Sequence, residues 1–310
     1  MKESMAEIER HFNRLKSELK NFEEIASQVK PDPGDVPSLN GIDIAGESIP
    51  LNGKVGGDHI IYLDFNKRYD LNARIREAER SGRPEVVRML ERNRNRAGVL
   101  VADAAGHKLT DAALAAMLHQ SFLLGVLYEL DMFGTVTTRL FENLNTRFYH
   151  SSSLNKYITM IYGEISENGL FRFINAAHPF PIVFSYAYDQ MVTVARDMPR
   201  TFPPIGTMPS GDDVDAHLLD SPLGQKSKYV INDINLMGEG DILLLFSDGF
   251  MEHGEHTMGA FGENRLEPIL RETKDQSASG IAAVLKAELL AYAEATDDMS
   301  FVVIKRKKKS

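Results

Sequence analysis

The sequence predicts an α+β sandwich, in which antiparallel strands form layers and some helices follow one another directly. Glu167-Asn168-Gly169 is a turn sequence between two runs of alternating apolar and polar residues, and residues 187–190 form a second hairpin loop. Two long helical patterns, at 110–130 and 133–149, are consecutive and have no strand between them. Hairpins and consecutive helices together do not fit an alternating βαβ fold.

The strands are expected where short runs of β-branched and apolar residues are bounded by turn residues. These runs are 41–46, 58–65, 98–103, 157–165, 170–175, 181–185, 191–195, 229–236, 242–247 and 299–305. A third helix is expected after Ser277, because Ile281, Leu285 and Leu289 recur at helical spacing.

The composition excludes several classes of protein. The chain has 310 residues, 43% of them hydrophobic and 25% charged, which is typical of a globular protein. It has no cysteine, so neither a disulfide framework nor thiolate chemistry is available. A net charge of −9 argues against nucleic acid as the main partner. We find no continuous apolar run long enough for a membrane span and no signal-peptide core, so we expect a cytoplasmic protein.

The N-terminal segment carries a heptad pattern. Apolar residues recur with alternating steps of three and four at Met5, Ile8, Phe12, Leu15, Leu19, Phe22, Ala26 and Val29. This spacing predicts a coiled-coil or regulatory helix over 1–30 and a parallel homodimer through residues 5–29. A single amphipathic helix folded onto its own domain is the alternative. The prolines and glycine at 31–37 predict a linker over 31–40, which leaves 41–310 as the main domain.

Residues 67–96 differ in charge from the rest of the chain. They contain ten basic and five acidic side chains, a net charge of +5. Ser81-Gly82-Arg83-Pro84 interrupts the helical pattern, so we expect a helical hairpin inserted into the main domain. The segment is either a solvated surface insertion or a docking face for an acidic partner.

Aspartates stand at the ends of four predicted strands. They are Asp58, Asp103, Asp248 and Asp297, the last followed directly by Asp298. A carboxylate at the tip of a buried apolar strand is costly unless a cation meets it. Carboxylate oxygens are the ligands that Mg²⁺ and Mn²⁺ prefer, so the pattern indicates one shared metal site.

Five segments, in order, resemble the SpoIIE/RsbU-type branch of the metal-dependent PPM serine/threonine phosphatases. They are Gly56-Gly57-Asp58, Asp103-Ala104-Ala105-Gly106-His107, Asn175-Ala176-Ala177-His178-Pro179, the run from Gly240 to Gly249, and Asp297-Asp298-Met299-Ser300. The resemblance covers about residues 41–305. It implies a PPM-type sandwich of two mostly antiparallel sheets flanked by helices, with a cluster of two Mn²⁺ or Mg²⁺ ions at one edge.

The resemblance also implies roles for particular residues. Asp58 would be a metal ligand and Asp103 the carboxylate that bridges both ions. The backbone carbonyl of Ala104 and the carboxylates of Asp248 and Asp297 would complete the set. Asp297 is preferred to Asp298 because it fills the first position of the Asp-x-Met-Ser motif. Two ions roughly 4 Å apart can acidify a water and clamp a phosphoryl group, so no protein nucleophile is required.

Two histidines belong to these motifs. His107 is a candidate general acid for the leaving oxygen, and a turn histidine of purely local role is an equal alternative. His178 is expected to be structural.

Asp64 lies six positions after Asp58, roughly 20 Å along a strand, so it should not join the same metal pair. The motif Asp-Ala-Ala-Gly-His departs from the family's usual Asp-Val-Ser-Gly-His but keeps the acid and the histidine.

The leading functional hypothesis is a phosphatase that removes phosphate from serine or threonine of a small regulatory protein. By resemblance, that substrate would be a phosphorylated anti-sigma-factor antagonist, and an upstream protein would supply the signal. The alternatives are a pseudophosphatase that binds a partner without turnover and a hydrolase of small phosphoesters. The presence of all four strand-end carboxylates argues against the pseudophosphatase.

Overall fold

Two antiparallel sheets form the centre of the protein. The computed structural model describes residues 2–31, 33–105, 109–151, 156–192, 200–235 and 238–308. Its strands are β1 (Ile42–Ile49), β2 (Asp58–Asp64), β3 (Arg96–Ala104), β4 (Ile158–Ser166), β5 (Phe171–Ala176), β6 (Ile182–Ser185), β7 (Gln190–Val192), β8 (Asn232–Ile234), β9 (Ile242–Phe246) and β10 (Met299–Arg306). The first sheet has the order β1-β10-β9-β6-β7, and the second has the order β2-β3-β4-β5-β8.

Helices cover both outer faces of this pair of sheets. They are α1 (Lys2–Ser27), α2 (Phe65–Arg68), α3 (Leu71–Arg80), α4 (Pro84–Asn93), α5 (Leu109–Phe133), α6 (Thr138–Ser151), α7 (Asp248–Glu252), α8 (Phe261–Asn264), α9 (Leu266–Thr273) and α10 (Ala278–Tyr292). Helices α3 to α6 pack on the second sheet, and α7 to α10 pack on the first.

Three apolar layers hold the sandwich together. Val99, Ile161 and Val302 lie between the two sheets and are fully buried. Phe122 of α5 packs 5.3 Å from the ring of Tyr162 in the layer outside the second sheet. Phe250 and Phe301 form the matching contact outside the first sheet, 5.1 Å apart. Because both faces of the central strands are covered, those strands are apolar throughout, and the predicted sandwich is confirmed.

The observed elements differ from the predicted ones mainly at their ends. Helix α5 ends at Phe133 because Gly134 adopts a left-handed conformation, with φ +72°, and its amide bonds back to Leu130. Helix α6 therefore begins at Thr138, five residues later than predicted. Strand β1 continues to Ile49, and β8 is confined to Asn232–Ile234. The predicted residues 193–195 of the seventh strand lie outside the described part of the chain.

The positively charged segment forms the helices α3 and α4. Asp70 caps α3 by accepting a hydrogen bond from the amide of Ala73 at 2.8 Å. Gly82, with φ +64°, turns the chain, and Pro84 begins α4. Leu90 is buried against the main core, so the hairpin is packed onto the domain along one side.

Helix α1 contacts the domain only through its C-terminal end. Met5, Phe12 and Leu15 of the heptad pattern are between 64% and 69% exposed. Ala26, in contrast, is 5% exposed and packs with Val55 and Ala112. The last positions of the heptad pattern thus fold onto the chain's own domain, and the earlier ones face outward.

Helix α5 has the length and composition of a membrane span, which was not expected from the sequence. Its stretch from Thr110 to Phe133 is long and apolar enough to cross a membrane. Length and hydropathy alone are weak grounds for a span, because core helices share them. One side of α5 is in the core, where Leu118, Phe122 and Val126 are fully buried.

Candidate metal centre

The first two predicted ligands face each other across a strand pair. Strands β2 and β3 are antiparallel, and their register places Asp58 directly opposite Asp103. In antiparallel pairs, residues directly opposite have their Cβ atoms about 4.5–5.5 Å apart, on the same face. Ala104 follows at the end of β3, where its amide donates to the carbonyl of Gly57 at 3.2 Å. Both strands therefore present an acid at the same edge of the second sheet.

The first sheet contributes the remaining acids at the same edge. Asp248 begins α7 and is separated from the end of β9 by one residue, and Asp297 and Asp298 come directly before β10. Gly249 lies against Asp297 and Asp298, because a Cβ atom at position 249 would collide with the backbone oxygen of Asp298. Only glycine permits this approach, which brings Asp248 next to the pair.

Asp58 is anchored across the two sheets. Its Oδ2 accepts a hydrogen bond of 2.6 Å from the hydroxyl of Ser247, the residue after β9. The same hydroxyl accepts from the amide of Ser300 at 2.9 Å. The Oδ1 of Asp58 is buried and has no hydrogen-bond partner among the described residues. The carboxylate is thus fixed in position but only half satisfied.

Asp297 and Asp298 have different environments, although they are adjacent. Asp298 is 3% exposed and accepts hydrogen bonds from the amides of Leu51 and Gly57 at 2.6 and 2.7 Å. It therefore ties the loop before β2 to the start of β10. Asp297 is exposed, and its Oδ1 accepts from the amide of Asp298 at 2.8 Å. Both residues precede β10, and their hydrogen bonds distinguish them.

Burial and neighbouring carboxylates raise the pKa values of Asp58 and Asp103. Burial, followed by the carboxylates of Asp248, Asp297 and Asp298, raises the pKa of Asp103 to about 7. Burial and the carboxylate of Asp103 hold the pKa of Asp58 well above its usual range. Several carboxylates near one another, without a cation between them, resist ionisation. A divalent cation would remove that resistance.

The donor set fits a hard divalent ion, although the carboxylates do not form a closed cage. In the described part of the chain, no three His, Asp or Glu side chains converge as a ready-made metal site. The site nevertheless offers oxygen donors, an unpartnered buried oxygen on Asp58, and mutually repelling carboxylates around Asp103. Mg²⁺ and Mn²⁺ accept such donors and complete their shells with water.

The other predicted residues have separate outcomes. His107 lies outside the described residues. His178 has a structural environment, since it is 4% exposed and exchanges hydrogen bonds with Asn175 and Thr159. Burial lowers the pKa of His178 to about 3, so it stays neutral. Asp64 lies at the far end of β2 and caps α2.

The roles of three polar residues near the centre were not expected from the sequence. Ser247 orients Asp58, and its place beside Asp248 in the strand-end motif was the available signal. Asp298 organises the loop before β2. Lys156 pairs with the buried Asp111 and donates to the carbonyl of Ala105 at 3.3 Å. Nothing near Lys156 in the sequence indicated that pairing, since 45 residues separate it from Asp111.

Comparison with known structures identifies the class of protein. The SiaA-PP2C domain of Pseudomonas aeruginosa is similar at a TM-score of 0.62 and 16% identity, with 95% of this chain and 98% of that chain covered. The RsbU and RsbW domains of Rv1364c from Mycobacterium tuberculosis match at 0.62 and 18%, with 89% and 62% covered. The phosphatase domain of SpoIIE from Bacillus subtilis, with a fragment of its regulatory domain, matches at 0.57 and 15%, with 87% and 64% covered.

These matches show a PP2C-type phosphatase fold. No curated protein matches the sequence. The family described as Stage II sporulation protein E (SpoIIE), however, matches residues 93–307. The chain therefore belongs to the SpoIIE family and is a homologue of the PP2C-type serine/threonine phosphatases. It spans less than two thirds of the multidomain chains from Mycobacterium and Bacillus.

Proposed function

We propose that this protein is a metal-dependent phosphatase that hydrolyses phosphoserine or phosphothreonine on a small regulatory protein. The observation that carries the proposal is the position of Asp58 opposite Asp103, at the edge where Asp248 and Asp297 also lie. The raised pKa values of Asp58 and Asp103, caused by burial and by neighbouring carboxylates, support a site built for cations. When bound, two Mn²⁺ or Mg²⁺ ions supply an activated water and neutralise charge on the phosphoryl group.

The chain's own residues have distinct tasks in this proposal. Asp103 would bridge both ions, while Asp58, Asp248, Asp297 and the Ala104 carbonyl would each hold one of them. Ser247 keeps the Asp58 carboxylate in one orientation, since its hydroxyl is itself held by the amide of Ser300. Asp103 must lose its proton before it can bind, so its raised pKa makes metal binding weaker below about pH 7.

His107 is proposed as the general acid that protonates the leaving serine or threonine oxygen. His107→Ala should slow hydrolysis of a phosphoserine substrate by about 10²-fold or more. An aryl phosphate has a better leaving group and should lose much less activity. Equal losses on both substrates would assign His107 a local structural role instead.

The proposed substrate is a phosphorylated anti-sigma-factor antagonist or a similar small phosphoprotein. The sequence motifs support it, and so does the Mycobacterium tuberculosis match, whose chain combines an RsbU domain with an RsbW domain. The net charge of +5 in residues 67–96 suits an acidic partner or regulator. The proposed location is the cytoplasm.

The decisive experiment measures phosphate release from phosphorylated antagonists encoded by the same genome, with Mn²⁺ or Mg²⁺ and with a chelator. Release that needs the metal supports the proposal. Release from a small aryl phosphate alone would indicate a hydrolase of small phosphoesters.

A pseudophosphatase is the second candidate, and one observation favours it. The described carboxylates do not form a cluster of three that could hold an ion without rearrangement. A protein of this kind would bind the phosphorylated partner but release no phosphate at any metal concentration. Isothermal titration with Mn²⁺, combined with the phosphate-release assay, separates the two candidates.

We further propose a parallel homodimer formed by α1. The outward-facing positions Met5, Ile8, Phe12, Leu15 and Leu19 continue one heptad stripe that the domain leaves exposed. Leu15→Glu with Leu19→Glu should give monomers, as measured by light scattering at tens of micromolar protein. A matched control places glutamate at the exposed positions Arg10 and Lys16, outside the stripe. A wild-type monomer would contradict the proposal.

A further inference from the structure

The edge strands β1 and β2 border a groove that the proposed reaction does not explain. Within the described chain, β1 pairs with β10 alone and β2 with β3 alone, so each has one open edge. A cavity of about 610 Å³ runs between these edges. Six consecutive residues of β1, Asp43 to Ser48, line one side, and Lys30 and Pro31 after α1 cover part of it.

One end of this groove lies at the candidate metal centre. Asp58, the first residue of β2, lines the cavity together with Gly56. Strand β1, on the other side of the groove, ends at Ile49. Two residues later, the amide of Leu51 donates a hydrogen bond to the carboxylate of Asp298. A molecule lying along β1 would therefore reach the acids at its end.

A tyrosine with a buried hydroxyl that has no described partner lines the groove further along. Tyr62 lines the cavity, is 3% exposed, and its hydroxyl has no hydrogen-bond partner among the described residues. The β1 residue beside it is Gly46, where a Cβ atom would lie 2.5 Å from that hydroxyl. Burial and the nearby carboxylate of Glu47 raise the pKa of Tyr62, so the hydroxyl remains a donor. A buried donor left unpaired destabilises the protein, and an acceptor on a ligand would remove that penalty.

We infer that the groove holds an extended segment of the phosphoprotein substrate, added as a strand to the open edge of β1. This inference rests on the proposed function. The polar groups favour a peptide because they are spread along a strand and do not converge on one point. Tyr62 and Asp58 are four residues apart on β2, roughly 13 Å, and an open strand edge offers amides and carbonyls at regular intervals.

The expected complex has defined dimensions. The six lining residues of β1 extend over roughly 20 Å, so about six residues on one side of the phosphorylated residue should contact the groove. Main-chain hydrogen bonds to β1 would supply affinity, and a peptide carbonyl would accept from the Tyr62 hydroxyl. The phosphorylated residue would then lie at the Asp58 end.

Kinetics on a peptide series tests this arrangement. Phosphoserine peptides of three to twelve residues, extended on either side, are compared with p-nitrophenyl phosphate in Mn²⁺. We expect kcat/KM to rise with length on one side until about six residues are present. Tyr62→Phe should raise KM for the long peptide roughly three- to tenfold, leaving the aryl phosphate unchanged.

Tyr229→Phe is the matched control, because Tyr229 also has a buried hydroxyl without a described partner but lies outside the groove. It should leave the kinetics on both substrates unchanged. A thermal melt of both variants checks folding. Equal kinetics for the two variants, or no dependence on peptide length, would overturn the inference.

Hydrogen exchange supplies a readout that does not need turnover. The twelve-residue phosphopeptide is added to the Asp103→Asn protein, and exchange is followed for the amides of residues 43–48. Added protection there supports strand addition, and unchanged exchange at saturating peptide overturns it. If the wild-type protein releases no phosphate from any substrate, the proposed function fails, and the exchange result still decides whether the groove binds the peptide.

Discussion

The two ends of strand β2 carry the same residue type in opposite circumstances. Asp64, at one end, accepts hydrogen bonds from the amides of Ser38, Asn66 and Lys67 at 3.0–3.1 Å. Asp58, at the other end, accepts one hydrogen bond from Ser247 and has an oxygen without a described partner. The backbone satisfies the first carboxylate, while the second is surrounded by further acids.

This contrast separates a structural acid from a candidate ligand better than burial does. Asp58 and Asp64 are 6% and 7% exposed, so their burial is nearly identical. The difference lies in what supplies positive charge: amide dipoles at a helix start and the Lys67 ammonium at 3.8 Å for Asp64, and no described cation for Asp58. Asp298 resembles Asp64 in this respect, since two amides satisfy it.

The largest expected effect is on turnover. Asp103→Asn and Asp248→Asn should each lower kcat/KM by about 10³-fold or more, because they remove charge that holds the proposed ions. Asp64→Asn is the control and should leave turnover within about twofold. The measurement is phosphate release in saturating Mn²⁺, with circular dichroism to confirm folding. Comparable losses at Asp64 and Asp103 would show that the two ends of β2 do not differ functionally.

The next effect is on stability against pH in the presence of chelator. The pKa of Asp103 rises from 3.8 in the unfolded chain to about 7 in the folded one. The unfolded chain therefore releases this proton first, and stability should fall as pH rises from about 4 to about 7. Excess Mn²⁺ should weaken or reverse this slope, because metal binding needs the ionised form.

Melting temperatures between pH 5 and pH 8 measure this slope. Asp103→Asn has no proton to lose at this position, so its metal-free slope should be flatter than that of the wild type. A wild-type melting temperature that does not fall with pH would contradict the proposed electrostatics of the centre.

The sequence predicted the features that depend on local pattern. Asp58 begins one apolar strand and Asp103 lies near the end of another, and their motif context predicted that they share one site. The role of Asp298 was not predictable in this way, because it depends on a contact with Gly57, 241 residues away in the chain. The hydroxyl of Tyr62, which has no described partner, was equally unpredictable from the sequence, because a tyrosine within an apolar strand is usually a core residue.

The heptad pattern shows the limit of periodicity. Its spacing is unbroken, yet the structure places Ala26 against Val55 and Ala112 and leaves Leu15 exposed. Periodicity identifies an apolar face but not the surface that covers it. Which part of the face meets the chain's own domain depends on tertiary packing.

A smaller effect, on substrate affinity, is expected from changes in the helices α3 and α4. These helices lie at the opposite end of the second sheet from the acids. Arg96 is not a suitable surface probe, because it is mostly buried and pairs with Glu164 at 2.9 Å. Arg88 and Arg92 are exposed on α4. Replacing both with glutamate should raise KM for the phosphoprotein about three- to tenfold and reduce its salt dependence.

Lys228→Glu, at an exposed lysine outside the hairpin, is the matched control for Arg92→Glu. Turnover of a small aryl phosphate should be unaffected in every charge variant. If the phosphoprotein kinetics are also unaffected by Arg88→Glu with Arg92→Glu, α3 and α4 form a solvated surface and no docking face.

The smallest expected effect returns to the two ends of β2 and concerns the sign of a stability change. Asp64→Ala removes the cap of α2 and should destabilise the protein by about 0.5–2 kcal/mol. Asp58→Asn removes a buried acid from a cluster of acids, so it should raise the metal-free melting temperature at pH 8. In saturating Mn²⁺ the wild type should instead melt at a higher temperature than the Asp58→Asn variant, because Asp58 then contributes to metal binding and the asparagine does not.

Denaturant unfolding with chelator and with Mn²⁺ measures the stability change of both variants. If Asp58→Asn destabilises the metal-free protein as much as Asp64→Ala does, Asp58 is a structural acid, and its opposition to Asp103 does not mark a metal centre.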